Sequence, residues 1–320
     1  MQDKLIARAK ELLSEGKVKK VVGWKKGLFE DDITPALFTT AEELDKDFVF
    51  NKYCKANLSK YLVGITKNIE IAKSTTRMNN TMAKQRDPNA QDAPIPQEVV
   101  LVFLKPADTY SFTQLLKESR ITREDVYAIG VPCQDTLDGG DVCDNCAGKK
   151  PVSCDEYIGV DPNAEVSPNN ARMEAVSKLE AMSVQERYDF WRNEFSRCIR
   201  CNACRNVCPA CTCEKCVFDN NALYTTQKVA ETNFEESLFH IIRAWHVAGR
   251  CTDCGECSRV CPQNIPLYLL NRKYIKDINE IYGDYQAGAD MESKPAMLCF
   301  EEDDPETTIV YDRSKDGGNE

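Results

Sequence analysis

Two runs of cysteine in this chain share one spacing. Cys198, Cys201, Cys204 and Cys208 follow a C-x2-C-x2-C-x3-C pattern closed by Pro209, and Cys251, Cys254, Cys257 and Cys261 repeat it up to Pro262. Three thiols at two-residue spacing wrap a loop around one corner of a cubane, so that each reaches its own iron, while the fourth, before proline, ligates the other cluster. By that rule one 4Fe–4S cluster takes Cys198, Cys201, Cys204 and Cys261, and a second takes Cys251, Cys254, Cys257 and Cys208. Zinc is the competing reading, but a zinc ribbon needs only two separated CxxC pairs and gives no role to a third cysteine or to Cys-Pro. The chemistry expected of the eight thiols is one-electron transfer.

The chain has 17 cysteines, so nine lie outside these runs. Cys133, Cys143, Cys146 and Cys154 fall close together among Gly139, Gly140 and Gly148, which allow sharp turns. The expectation there is a third 4Fe–4S cluster, with zinc or plain packing as alternatives. Cys211, Cys213 and Cys216 have no obvious fourth partner. A further metal, contacts to a neighbouring cluster, and packing all stay open for them. Cys54 and Cys299 stand alone and are expected to pack. His240 and His246 are expected at the surface or behind the ligands rather than on a metal. Arg197, Arg200, Arg205, Arg250 and Arg259 flank the motifs and are expected to offset cluster charge and raise the reduction potential.

The elements that must position these thiols fall into two parts. Residues 1–160 read as an α/β domain: a helix ending near Gly16, a strand around Val21, a helix over 51–63, and a loop over 85–97. The continuous apolar run Val99 to Leu104, a helix over 111–118 and a strand over 126–131 suggest a βαβ unit with a site beyond its strand ends. Cys133 stands just past such an end. Residues 161–182 read as a linker, 183–285 as an all-α iron–sulfur domain, and 286–320 as an acidic tail. One helix starts at Ser183 with Glu186 completing a capping box, and its apolar face is Val184, Tyr188, Trp191 and Phe195. A second starts near Asn233, with Phe234, Leu238, Ile241, Trp245 and Ala248 as its apolar face. A third follows Pro266. Each cysteine run is thus delivered by a helix.

Composition narrows the partners. The formal charge of −10 meets nucleic-acid phosphates with like charge, so no nucleic acid is expected. No run of apolar residues is long enough for a transmembrane segment, and no export signal is legible. That many cysteines without export point to metal ligation in the cytoplasm rather than to disulfides.

The helical spacer between the motifs, the run Cys251-Thr-Asp-Cys254-Gly-Glu-Cys257 through Cys261-Pro262, and Ile265-Pro266 resemble α-helical ferredoxin modules. Those modules occur in succinate dehydrogenase iron–sulfur subunits and in the heterodisulfide reductase small subunit. The Cys208-Pro-Ala-Cys211-Thr-Cys213 run looks like one in sulfhydrogenase and anaerobic sulfite reductase electron-transfer subunits. Ile129-Gly-Val-Pro-Cys133 is similar to a strand end in β subunits of deazaflavin-reducing hydrogenases and dehydrogenases. That last resemblance implies clusters and FAD, although no GxGxxG fingerprint is present. Together the resemblances imply an electron-transfer subunit working with other subunits of an anaerobic redox complex. The alternative is a flavin-containing subunit that acts directly on a soluble carrier. No general acid, base or nucleophile pair is legible, so no catalytic residue is assigned.

Overall fold

A computed structural model describes residues 1–133, 150–165, 170–219, 233–295, 299 and 302. The N-terminal part is built on one five-stranded sheet of order β2-β1-β3-β4-β5. Its strands are β1 (Lys20–Lys26), β2 (Ile33–Phe38), β3 (Val100–Leu104), β4 (Val126–Gly130) and β5 (Glu156–Tyr157). β1 and β2 form an antiparallel edge, whereas β1, β3, β4 and β5 run parallel. β3 lies at the centre because all five of its residues are apolar and buried, which suits a parallel strand covered on both faces.

Among the described residues of this part are four α-helices, α1 (Gln2–Ser14), α2 (Ala41–Asp47), α3 (Ser59–Arg86) and α4 (Pro106–Lys117). α1 buries Leu5, Ala9 and Leu12 in the core shared with the sheet. α2 opens on a capping box between Thr40 and Glu43. α4 completes the expected β3–α4–β4 unit, since β3 and β4 pair in parallel register from Val100↔Val126 to Leu104↔Gly130.

The helix expected over 51–63 is placed differently: α3 starts at Ser59 and runs to Arg86. Lys105, at the end of β3, explains the late start. Its buried ammonium donates to the carbonyls of Cys54, Lys55 and Ala56 at 2.9, 3.0 and 3.0 Å, and holds that stretch as a loop. It also lies 4.9 Å over the ring of Trp24 and 3.2 Å from the Asp108 carboxylate. The far end of α3 escapes sequence reading because no residue beyond Ile69 is buried, so it carries no apolar period.

From residue 170 onward the described elements are helical. They include α5 (Glu174–Glu180), α6 (Val184–Ser196), α7 (Ala203–Asn206), α8 (Asn233–Trp245), α9 (Glu256–Arg259) and α10 (Leu267–Tyr282). α5 falls inside the stretch expected as a linker, yet its Val176 and Leu179 pack with Tyr268 and Leu269 of α10. The Ser183–Glu186 capping box of α6 is formed in both directions. Only the end of α6 is buried: Val184 and Tyr188 are exposed, whereas Trp191 stacks on buried Phe195 at 5.1 Å.

α8 reverses the expectation. Its apolar stripe faces outward, with Phe234 72% and Trp245 55% exposed and Leu238 and Ile241 also in contact with solvent. Its buried face carries Glu236, Phe239, His240, Arg243 and Ala244. Polar groups point inward here because that face meets the cysteine loops. Beyond α10 the chain returns to α4, where Lys117 donates to the carbonyl of Ser293 and, at 3.0 Å, to its hydroxyl. Among the described residues no helix is long and apolar enough to cross a membrane.

The sheet core sets a testable contrast. Phe103→Ala, which empties a fully buried site in β3, should cost about 3–5 kcal/mol. Phe29→Ala, at a position 71% exposed, should stay within about 0.5 kcal/mol. Thermal unfolding of the two variants beside the parent chain checks the difference.

Candidate metal centre

The two cysteine loops have the same backbone. In the first, Arg200 and Asn202 take left-handed conformations at φ 55° and 61°; in the second, Asp253 and Gly255 do so at 55° and 73°. Each loop then enters one short turn of helix, α7 or α9. Each closes with a turn after Cys-Pro, in which Cys211 N donates to Cys208 O at 3.1 Å and Asn264 N donates to Cys261 O at 3.0 Å. A left-handed non-glycine residue costs about 1–2 kcal/mol, so three of them in two short loops mark a constrained backbone. The constraint turns backbone N–H groups toward sulfur. Arg200 N donates to Cys198 Sγ at 3.4 Å, and the amides of Ala210, Asp253 and Glu256 bond Cys208, Cys251 and Cys254.

The left-handed residues are themselves anchored by buried charge, with opposite sign in the two loops. Arg200 pairs with Glu236 of α8 at 3.0 Å and lies 4.1 Å over the Phe239 ring. Asp253 accepts from Arg272 of α10 at 3.0 and 3.1 Å and from Arg172 at 2.7 Å.

Two cavities result. Cys198, Cys201, Cys204 and Cys261 line the first, so the fourth cysteine of the second run stands with the first three of the other. Cys208, Cys251 and Cys254 line the second. Cys257 lines neither cavity; it is buried within electrostatic reach of both Cys204 and Cys208 and accepts from Asn271 Nδ2 at 3.6 Å.

The second cavity is walled by the α/β part. Ser111, Gln114, Leu115 and Glu118 of α4 line it. Ser111 and Thr252 share a hydroxyl contact at 2.8 Å, Asn57 Nδ2 donates to Ser111 Oγ at 3.0 Å, and Asn57 N donates to Glu256 at 3.0 Å. Arg250, just before Cys251, clamps Glu118 with two guanidinium bonds, one of them 2.8 Å. The loop held by Lys105 therefore reaches the second cysteine run within a few bonds.

The environment suits an iron–sulfur cluster. Burial pushes the thiols of Cys198 up to about 11 and of Cys204 and Cys254 up to about 12, so these positions hold protons until a metal takes the sulfur. Burial likewise raises Cys251, and the Cys211 contact with burial raises Cys208. His240 lines the first cavity, is 1% exposed, and has no hydrogen-bond partner on either ring nitrogen among the described residues. It stacks on Phe195 at 4.5 Å. Burial, with Arg243 and Arg200 nearby, lowers its pKa to about 3, so the ring is neutral and keeps one N–H to donate. Soft sulfur donors, amides aimed at sulfur and a spare buried donor are what a thiolate-held cluster requires.

Of the two histidines, His240 stands behind the cysteines of the first cavity and His246 at the surface, the two places expected of them. The flanking arginines also hold other partners: Arg197 pairs with Glu194, Arg205 with Asp219 as well as Cys216, Arg250 with Glu118, and Arg259 donates to Cys254 O. Arg243, which sequence reading passed over, is the buried guanidinium among the thiols, close to Cys257, Cys204, Cys208 and Cys211. Its signal was its place three residues after His240 on the polar face of α8. Cys143 and Cys146 lie outside the described residues. Cys133 is exposed past the end of β4, and Cys154 is part-buried beside Gly130, its thiol pushed up to about 12 by burial. Cys54 is buried in the sheet core, as packing requires.

Comparison with known proteins agrees with this geometry. Residues 194–265 match the 4Fe-4S dicluster domain, so the chain carries such a domain in its C-terminal region. A stretch of 128 residues is 31% identical to the F420-dependent formate dehydrogenase subunit beta of Methanocaldococcus jannaschii, covering 39% of this chain and 32% of that one. Another, of 145 residues, is 28% identical to the F420-dependent formate dehydrogenase 1 subunit beta of Methanococcus maripaludis, covering 41% and 36%. The chain spans about a third of the length of these relatives.

Asp253→Ala tests the anchoring of the second loop. It leaves Arg172 and Arg272 without their shared carboxylate and should cost about 3–5 kcal/mol. Iron content should fall with it, read by colorimetric iron assay on anaerobically purified protein, while Asp189→Ala on exposed α6 leaves both quantities unchanged.

Proposed function

We propose that this chain is an iron–sulfur electron-transfer subunit of an anaerobic multi-subunit oxidoreductase. The parent complex is of the hydrogenase, formate dehydrogenase or heterodisulfide-reductase-like kind, and the chain relays single electrons between a partner's flavin or active site and another redox subunit. The observation that carries this reading is the exchange at the two cavities, where Cys261 stands with Cys198, Cys201 and Cys204, and Cys208 with Cys251 and Cys254.

On this reading one 4Fe–4S cluster is held by Cys198, Cys201, Cys204 and Cys261. The second is held by Cys208, Cys251, Cys254 and Cys257. A bound cluster supplies a one-electron couple whose potential is set by hydrogen bonds, charge and solvent access. The chain's own work is to hold and tune it. Backbone amides donate to the sulfurs, His240 offers a neutral N–H at the first site, and α4 keeps water from the second. Residues 183–285, with α5 packed against them, would form an α-helical ferredoxin module and 1–160 an α/β domain, followed by the acidic tail 286–320.

A third 4Fe–4S cluster on Cys133, Cys143, Cys146 and Cys154 would lengthen the path through the α/β domain. The relatives support the parent assignment, since both are named as β subunits of formate dehydrogenases. The exposed stripe of Phe234, Leu238, Ile241 and Trp245 gives another subunit an apolar surface to cover. A cytoplasmic setting fits the reading. The second reading, a FAD-containing subunit acting directly on a soluble carrier, is favoured by the F420 dependence of the relatives' enzymes.

Anaerobically purified protein should carry at least about eight irons and as many acid-labile sulfides per chain. Cys254→Ser should lower that number and disturb the surroundings of Cys208; unchanged iron would sink the cross-ligated arrangement. Cys146→Ser should remove about four irons if the third cluster is present. Flavin absorption bands in the same sample would favour the second reading over the pure relay.

A further inference from the structure

A pocket of about 360 Å³ lies next to the second cavity, and its wall carries the three thiols that neither motif uses, Cys211, Cys213 and Cys216. Lys60 of α3 and Arg243 of α8 line the same space. The lone acidic side chain on that wall among the described residues, Asp219, is paired with Arg205 at 2.7 Å. Arg243 is 2% exposed, and its Nε, Nη1 and Nη2 have no hydrogen-bond partner among the described residues. A guanidinium buried in this way requires an anionic neighbour.

Soft sulfur donors and one unspent guanidinium, Arg243, thus face one pocket, beside Lys60, which donates to the carbonyl of Cys211. A simple anion would satisfy Arg243 but give the thiols no role. A single zinc ion would use the thiols, but its sulfurs must stand about 3.8 Å apart for a Zn–S bond of about 2.3 Å. The three sulfurs do not gather within 4.8 Å of one another, and neither do any three of the eight motif sulfurs. A cluster, whose thiolates sit on separate irons, does not need its ligand sulfurs gathered that tightly, and its sulfides accept from nearby cations. Sulfur at these positions is already met by donors: Arg205 bonds Cys216, and Cys211 bonds Cys208. The Cys208 contact places the pocket one thiol away from the second cavity.

We propose that this pocket is a further iron–sulfur site, with Cys211, Cys213 and Cys216 as thiolate ligands, His246 of the same wall at the fourth position, and Arg243 and Lys60 as charge partners. It borrows from the two-cluster reading only the class of cofactor. It also gives Arg243 a place between sulfur groups on several sides, close to Cys204, Cys208, Cys211 and Cys257.

The test uses the full chain, purified without oxygen, with iron and sulfide counted and the reduced clusters resolved by EPR and Mössbauer spectroscopy. The double substitution Cys213→Ser with Cys216→Ser should remove about four irons and one spectral component. The components that Cys254→Ser abolishes should remain. Cys213 is exposed, so the single Cys213→Ser variant, expected to show the same spectral loss, guards against a folding defect. His246→Ala should keep the iron count and shift that one component alone. An unchanged iron count and unchanged spectra in the double variant would overturn the proposal, as would zinc recovered at this site in place of iron. Failure of the two-cluster reading would look different, because Cys254→Ser would then leave the iron count where it was.

Discussion

Thiols from two loops can fill two cavities only if the loops are placed face to face and each hands its last cysteine across. Cys261 on the wall of the first cavity and Cys208 on the wall of the second express that constraint. Much of the C-terminal architecture follows from it. The loops repeat one backbone, left-handed residues included, because each must turn its amides toward sulfur within a few residues. α6, α8 and α10 are then the supports. α8 brings Glu236 to Arg200, and α10 brings Arg272 to Asp253, so each loop is pinned at its first left-handed residue by a buried charge from a helix.

The sheet takes part in the same arrangement. Lys105 ends the central strand, fixes the loop of Cys54 to Ala56, and so presents Asn57 to Glu256 and Ser111. The neighbouring α4 supplies one wall of the second cavity. The two cavities therefore differ in kind. The first is enclosed by its own helical region, with His240 and Phe239 behind it, whereas the second is completed by side chains of α4 in the N-terminal part.

The thiols that line the two cavities, though not the place of Cys257, were legible because ligand spacing is a local property. The C-x2-C-x2-C-x3-C-P pattern forces the loop, whatever surrounds it. The central strand and the βαβ unit were legible for a similar reason, since Val100 to Leu104 is apolar on both faces. What failed was the inference from apolar pattern to burial. On α8 the apolar stripe marks the outside and the polar face the inside, because the interior there is made of sulfur and charge rather than hydrocarbon. Arg243 was missed on that account. The start of α3 was missed because a single lysine from another strand overrides the local helical pattern, a contact no window of sequence contains.

The wall that α4 gives the second cavity has a consequence for biosynthesis. Asn57 and Glu256, whose hydrogen bond helps close that wall, are 199 positions apart in the chain. Contacts of such separation form late, after the loop entropy of the whole intervening chain has been overcome. Until they form, Cys251 and Cys254 stand open to oxidants, and a thiolate in that state climbs readily to sulfenic and higher acids. The sheet and α4 must be in place before the second cavity is walled, so the shelter of Cys251 and Cys254 depends on residues made long before them.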